Sequence, residues 1–160
     1  MATIDDFSLP IRLLIKTYRW RRIDPVPWAP LRRPLAESRL ALVSSAGFIL
    51  PGQEPFQVNL SGGDGSFREI PADTDVASLT DTHRSDSFDH RGMVLDPNLA
   101  FPIDRVRELA AAGRIGEVAP RHLSFMGSIT APGSLIRDHA PAAGRLLRQD
   151  GVDVALLVPV

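Results

Sequence analysis

Ile11, Leu14, Ile15 and Tyr18 recur at i, i+3, i+4 and i+7, the stripe of an amphipathic helix. Ser8 is placed to cap that helix, and Pro10 falls in its first turn, where a missing N–H costs nothing. The helix is expected to end near Arg22. Pro25, Pro27, Pro30 and Pro34 then forbid regular helix and predict an extended arm. Arg39–Ser45 is a short apolar run between polar residues and reads as a buried strand. Residues 47–70 predict a long irregular stretch around Gly62-Gly63-Asp64-Gly65, with a short strand following at Val76–Leu79. Residues 81–97 predict a polar loop. The clearest helix opens at Pro102, buries Ile103, Val106, Leu109 and Ala110, and stops at Gly113. Ile115–Val118 and His122–Met126 are shorter elements on either side of Pro120. Ser134–Gln149 predicts a helix broken near Pro141 and closed by Gly151, and Val152–Val160 predicts a fully buried parallel strand.

Strand, helix and strand in this order predict an α/β fold, a Rossmann-like parallel sheet with flanking helices. Residues 1–34 form an N-terminal helix and a Pro/Arg-rich arm, and residues 35–160 form the α/β domain. In such sheets the carboxyl ends of the strands carry the chemistry and lead into helices. Because the most hydrophobic strand is the last segment, the domain is expected to be an incomplete, N-terminal portion and only marginally stable alone.

With 160 residues, 44% of them hydrophobic and 23% charged, the chain has the make-up of one globular domain. No apolar run approaches the roughly 18 residues of a membrane span, and the start carries Asp5 and Asp6 rather than a basic leader. The expected location is the cytoplasm, without membrane contact. The absence of cysteine excludes disulfides, thiolate metal sites and a cysteine nucleophile within these residues. The net charge of −1 disfavours nucleic acid as a partner. Arg19, Arg21, Arg22, Arg32 and Arg33, interleaved with Trp20 and Trp28, have the composition of a phosphate- and base-binding arm, yet the rest of the chain is acidic. That arm is expected instead to pack on a partner or on its own domain.

The Gly62–Ser66 loop has backbone N–H groups for an anion but lacks the lysine and following helix of a P-loop, so a plain turn is the expected reading. His83, Asp86, Asp89 and His90 crowd one segment with imidazole and carboxylate, the groups of a divalent-metal site or of acid–base chemistry. A loop does not hold such groups at fixed geometry, so a solvated polar loop is the expected reading. Asp96-Pro97-Asn98 is a turn signature, and His122 and His139 are expected to be structural or exposed.

Five segments occur together in register. They are Ser66–Pro71 (SFREIP), the stretch from His83 to Asp89, Asp96–Leu109 (DPNLAFPIDRVREL), Ser124–Gly127 (SFMG) and Gly151–Val160 (GVDVALLVPV). Their pattern resembles the selenoprotein B family of glycine, sarcosine, betaine and D-proline reductases from about Trp28 to Val160. The resemblance implies an oxidoreductase that cleaves a carbon–nitrogen bond of a small amine with a selenocysteine or cysteine nucleophile. It also implies a pyruvoyl-type partner subunit and a thioredoxin-like dithiol donor. The nucleophile is expected immediately after Val160, at an in-frame UGA read as selenocysteine, so this chain is expected to be inactive alone and to bind no cofactor or metal itself. The resemblance further places His83, Asp89, Asp96 and Asn98 as acid–base or substrate-positioning groups. Gly63, Asp64, Ser66, Arg68, Ser124, Met126 and Gly127 are placed at the substrate, with Arg68 suited to grip a carboxylate. Two alternatives remain open: a non-enzymatic ligand- or partner-binding α/β module, and a metal-dependent hydrolase using His83, Asp86, Asp89 and His90.

Overall fold

The computed structural model describes residues 7–18, 22–85 and 90–160 and divides the chain into two compact units, Met1–Pro30 and Leu31–Val160. In the first unit, α1 spans Leu9–Thr17, and Arg12 N–H donates to the Ser8 carbonyl at 3.0 Å. The helix stops earlier than its apolar stripe predicts. Thr17 Oγ1 turns back to the Leu13 carbonyl at 2.8 Å, the local bond by which threonine competes with helix continuation. Arg19, Trp20 and Arg21 lie outside the described residues, and Trp28 is 85% exposed.

The second unit is a mixed α/β domain. Its strands are β1 (Arg39–Ser44), β2 (Phe48–Ile49), β3 (Phe67–Pro71), β4 (Thr80–Asp81), β5 (Glu117–Val118), β6 (Arg121–Phe125) and β7 (Val154–Val158). Its helices are α2 (His90–Leu95), α3 (Ile103–Ala111) and α4 (Ala140–Gln149). β1 runs parallel to β7 along one edge and to β5 and β6 along the other, and β3 is antiparallel to β6. The sheet is therefore mixed, not wholly parallel. β2 and β4 form a separate antiparallel pair.

Side-chain alternation puts a helical layer on each face. Leu40 and Leu42 of β1 pack with Phe101, Ile103 and Val106 around α3. Val43, Leu123, Ala155 and Leu157 face the opposite way, toward Ala143 and Leu147 of α4 across a groove of about 560 Å³. Phe101 is fully buried, edge-on to Phe48 at 6.5 Å between ring centroids. Phe101→Ala is expected to cost about 3–5 kcal/mol, read as a lowered urea midpoint at unchanged slope.

Several predicted elements take other forms. Val76–Ser78 is a single 3-10 turn, because the Asp75 carboxylate accepts the Ala77 N–H at 3.0 Å and caps it. The irregular stretch after Gly47 contains β2 and leads into β3. The predicted polar loop contains α2. Leu109 is 41% exposed on α3. β7 is parallel, as its apolar run predicts, but it is not buried: Leu156 is 42% and Leu157 68% exposed. Its pairing explains this, since among the described residues β7 bonds only to β1. The break near Pro141 is real: a π-helical turn, Leu135–His139, runs into α4 with Pro141 in its first turn.

One irregularity sits at the centre of the sheet. Arg39 pairs with Glu117 and Val43 with Leu123, so four steps along β1 face six from β5 to β6. Pro120 lies inside that bulge and has no N–H to offer. The Leu42 N–H is taken instead by the His122 ring, through Nδ1 at 3.0 Å.

Candidate functional site

The carboxyl ends of β1, β6 and β7 converge. Ser45 N–H donates to the Val158 carbonyl at 3.1 Å, and Val160 N–H donates to Ser45 Oγ at 2.9 Å. Gly127 N–H donates to the Ser45 carbonyl at 2.8 Å, and Gly47 N–H to the Phe125 carbonyl at 2.8 Å. His83 lies across these ends, seated between two glycines. A β-carbon at Gly47, whose φ is +71°, would come within 3.1 Å of the His83 backbone. One at Gly127 would come within 2.8 Å of His83 Nε2, 3.3 Å of the Ser45 carbonyl and 3.5 Å of the Val160 carbonyl. Gly47 thus leaves room for the His83 backbone and Gly127 for its ring.

The segment that delivers His83 is anchored at β4. Thr82 donates to the Gly47 carbonyl through its N–H and its hydroxyl, at 3.2 and 2.6 Å. Asp81 Oδ1 accepts the His83 backbone N–H at 2.8 Å, and Oδ2 pairs with His90 Nδ1. His90 Nε2 meets the Ser85 carbonyl at 2.7 Å, and Ser85 N–H donates to His83 Nδ1 at 3.1 Å. The two imidazole centroids are 6.4 Å apart. Burial pulls the His83 pKa below its ordinary value, against the Asp81 carboxylate, which raises it. His83 is therefore predominantly neutral at pH 7.

The other expected site residues are placed elsewhere. Asp96 caps a 3-10 turn by accepting the Asn98 N–H at 3.0 Å. Asn98 caps α3, its Oδ1 accepting the Asp104 N–H at 3.1 Å and its Nδ2 donating to Asp104 Oδ2 at 2.9 Å. Gly63 packs on the backbone of Ile129. Asp64 is a buried loop anchor that accepts the N–H of Gln57 and the N–H and hydroxyl of Ser66. Burial pushes the Asp64 pKa up, but these bonds and the Arg68 charge outweigh it and hold the carboxyl below its usual value. Arg68 lies over the Phe56 ring, 4.2 Å from its centroid. It donates to the carbonyls of Glu54, Pro55 and Phe67 and to Ser66 Oγ, so its guanidinium is committed to shaping its own loop. Ser124 is fully buried in β6, and its Oγ has no hydrogen-bond partner among the described residues. Met126 packs with Ile49 and Phe56. Asp86 and Asp89 lie outside the described residues. Among the described residues no group of three His, Cys, Asp or Glu is gathered as a metal site requires, and no helix is long and apolar enough to cross a membrane.

Of the expected residues, His83 and Gly127 are thus brought together at the strand ends. Ser45, Gly47 and Asp81 join them without having been singled out. The signal for Gly47 was present: a glycine just past the end of an apolar strand marks a turn or a close approach.

Glycine/sarcosine/betaine reductase selenoprotein B is the family whose model matches residues 15–159. The chain belongs to that family. It is 35% identical to the D-proline reductase subunit gamma of Acetoanaerobium sticklandii, over 84% of this chain and 54% of that one. It is 28% identical to the sarcosine reductase complex component B subunit beta of Peptoclostridium acidaminophilum, over 84% of this chain and 30% of that one. It is 27% identical to the glycine reductase complex component B subunit gamma of Carboxydothermus hydrogenoformans, over 84% and 31%. The chain therefore spans about half the length of the first of these relatives and about a third of the others. No solved structure matches it.

Proposed function

We propose that this chain supplies the strand-end scaffold of a selenoprotein B reductase that removes the amine of a small amino acid or betaine by reductive C–N cleavage. The substrate amine is handled on a pyruvoyl-type partner subunit, and a thioredoxin-like dithiol supplies the two electrons. The redox selenol or thiol belongs directly after Val160. The observation that carries this reading is the seat of His83 beside Gly127, a residue whose added β-carbon would meet both the His83 ring and the Val160 carbonyl. An imidazole there lies next to the position assigned to the chalcogen, where it serves as acid–base partner or substrate donor. A chalcogen anion at the end of a parallel strand that opens a helix also gains from unpaired N–H groups and the helix dipole. The exposed apolar side chains of β7 and the groove beneath α4 suit a chain that works within a complex.

The genomic sequence past codon 160 tests the proposal. A UGA followed in frame by further coding sequence is expected, and expression with selenocysteine insertion is expected to give a longer, selenium-labelled product that shows dithiol-dependent reductase activity once combined with its pyruvoyl-type partner subunit. A UAA or UAG with no Pro-Val-Cys-like continuation overturns it.

A further inference from the structure

We infer that Asp81 is the positioning residue of this site: its carboxylate keeps His90 doubly protonated and fixes His83 with its proton on Nε2, toward the strand ends. The inference deepens the functional proposal and rests on it for what the site is used for, but the protonation pattern follows from hydrogen-bond chemistry alone.

Both ring nitrogens of His90 face acceptors. Nε2 points at the Ser85 carbonyl, 2.7 Å away, and a carbonyl oxygen has no proton to give, so Nε2 carries one. Nδ1 pairs with Asp81 Oδ2. The proton of that pair resides on the imidazole, because a carboxyl group is the stronger acid by more than two pKa units. The other carboxylate oxygen accepts the His83 backbone N–H at 2.8 Å. His90 is thus an imidazolium on a carboxylate.

Ser85 joins the two histidines. Its carbonyl is held by His90, and its N–H donates to His83 Nδ1 at 3.1 Å. With Nδ1 occupied as an acceptor, the single proton of neutral His83 must sit on Nε2. Asp81, His90, Ser85 and His83 close a ring of contacts, and Asp81 touches both ends of it. Among the described residues the charged groups acting on the His83 ring are Asp81, His90 and Arg84, the last tied to the Leu60 carbonyl at 2.9 Å. The result is a neutral N–H donor backed by a fixed imidazolium at the mouth of the sheet. That arrangement suits a small substrate carrying a carboxylate.

Nitrogen-15 imidazole spectra of the full chain at pH 7 test this, with signals assigned by His83→Gln and His90→Gln. His90 is expected to show two protonated nitrogens and His83 one, at Nε2. Asp81→Asn keeps an acceptor for the His83 N–H but removes the charge. It is expected to lose one protonated-nitrogen signal from His90 while His83 keeps its tautomer. Asp81→Ala removes both contacts and is expected to give mixed His83 tautomers as well. A neutral His90 in the parent chain, a His83 protonated at Nδ1, or an Asp81→Asn spectrum identical to the parent overturns the inference. None of these readouts depends on reductase activity. The expected spectra in a complex that reduces no amine would reject the functional proposal and leave Asp81's role standing.

Discussion

Lowering the pH from 6.5 to about 4 is expected to cost the fold about 3 kcal/mol, and His122 is the reason. This ring is fully buried in β6, its Nδ1 committed to the Leu42 N–H at 3.0 Å, and its Nε2 has no acceptor among the described residues. Burial, with a smaller contribution from the nearby Arg107 charge, pulls its pKa down to about 4 from 6.5. The folded chain therefore keeps His122 neutral where the unfolded chain protonates it. Between those two values the unfolded state binds the extra proton, so stability falls as the pH falls through the window and is unaffected above it. His83, whose pKa is also lowered, adds a smaller loss of the same sign. Urea midpoints at pH 7, 5.5 and 4.5 measure the effect. His122→Asn keeps an acceptor near the Nδ1 position, and it should lower stability at pH 7 by leaving space beside Phe101 yet flatten most of the pH dependence. A parent chain with the same midpoint at all three pH values would remove His122 from the account.

The elements legible in the sequence are those whose cause is local. α3 follows from Pro102, the spacing of Ile103 and Val106, and Gly113, whose φ is +66°. β1 and β7 are visible as apolar runs, but a run reports what a strand can bury, not what lies beside it. β7 is thus correct in kind and direction and wrong in burial. α2 is only six residues long, too short for a periodic signal, and its histidine and arginine make it look like loop. The site shows the same division. A histidine in a polar segment is visible, and so is a glycine past a strand. The contact of Asp81 with His90, nine residues on, depends on how β4 pairs with β2 and cannot be read from spacing. Asp96 and Asn98 illustrate the converse. Carboxylate and amide groups that cap helices are the same groups that do chemistry, and sequence alone does not distinguish the uses. Arg68 reads as a carboxylate grip until the carbonyls of Glu54, Pro55 and Phe67 are seen to claim it.

If the proposed function holds, Gly127→Ala is expected to lower the activity of the reductase that contains this chain by about 100-fold while leaving the fold intact. The added methyl would sit 2.8 Å from His83 Nε2, closer than real β-carbons come to a neighbour, and 3.3 Å from the Ser45 carbonyl. The Ser45 carbonyl cannot yield without loss of the Gly127 N–H bond it accepts at 2.8 Å. The ring must therefore move. It is not a free side-chain end, because Ser85 N–H holds its Nδ1 and Asp81 holds its backbone. A displacement near 1 Å at a positioned catalytic group is enough to cost two orders of magnitude in rate. The fold is spared because the clash is confined to one imidazole at the strand ends, outside the Phe101 core. Two measurements distinguish this from general damage: the urea midpoint should stay near the parent value, and the His83 imidazole signals should shift while those of His122 do not. Activity within twofold of the parent, with His83 signals unmoved, would show that the imidazole is not seated against Gly127 and would take the strand-end site with it.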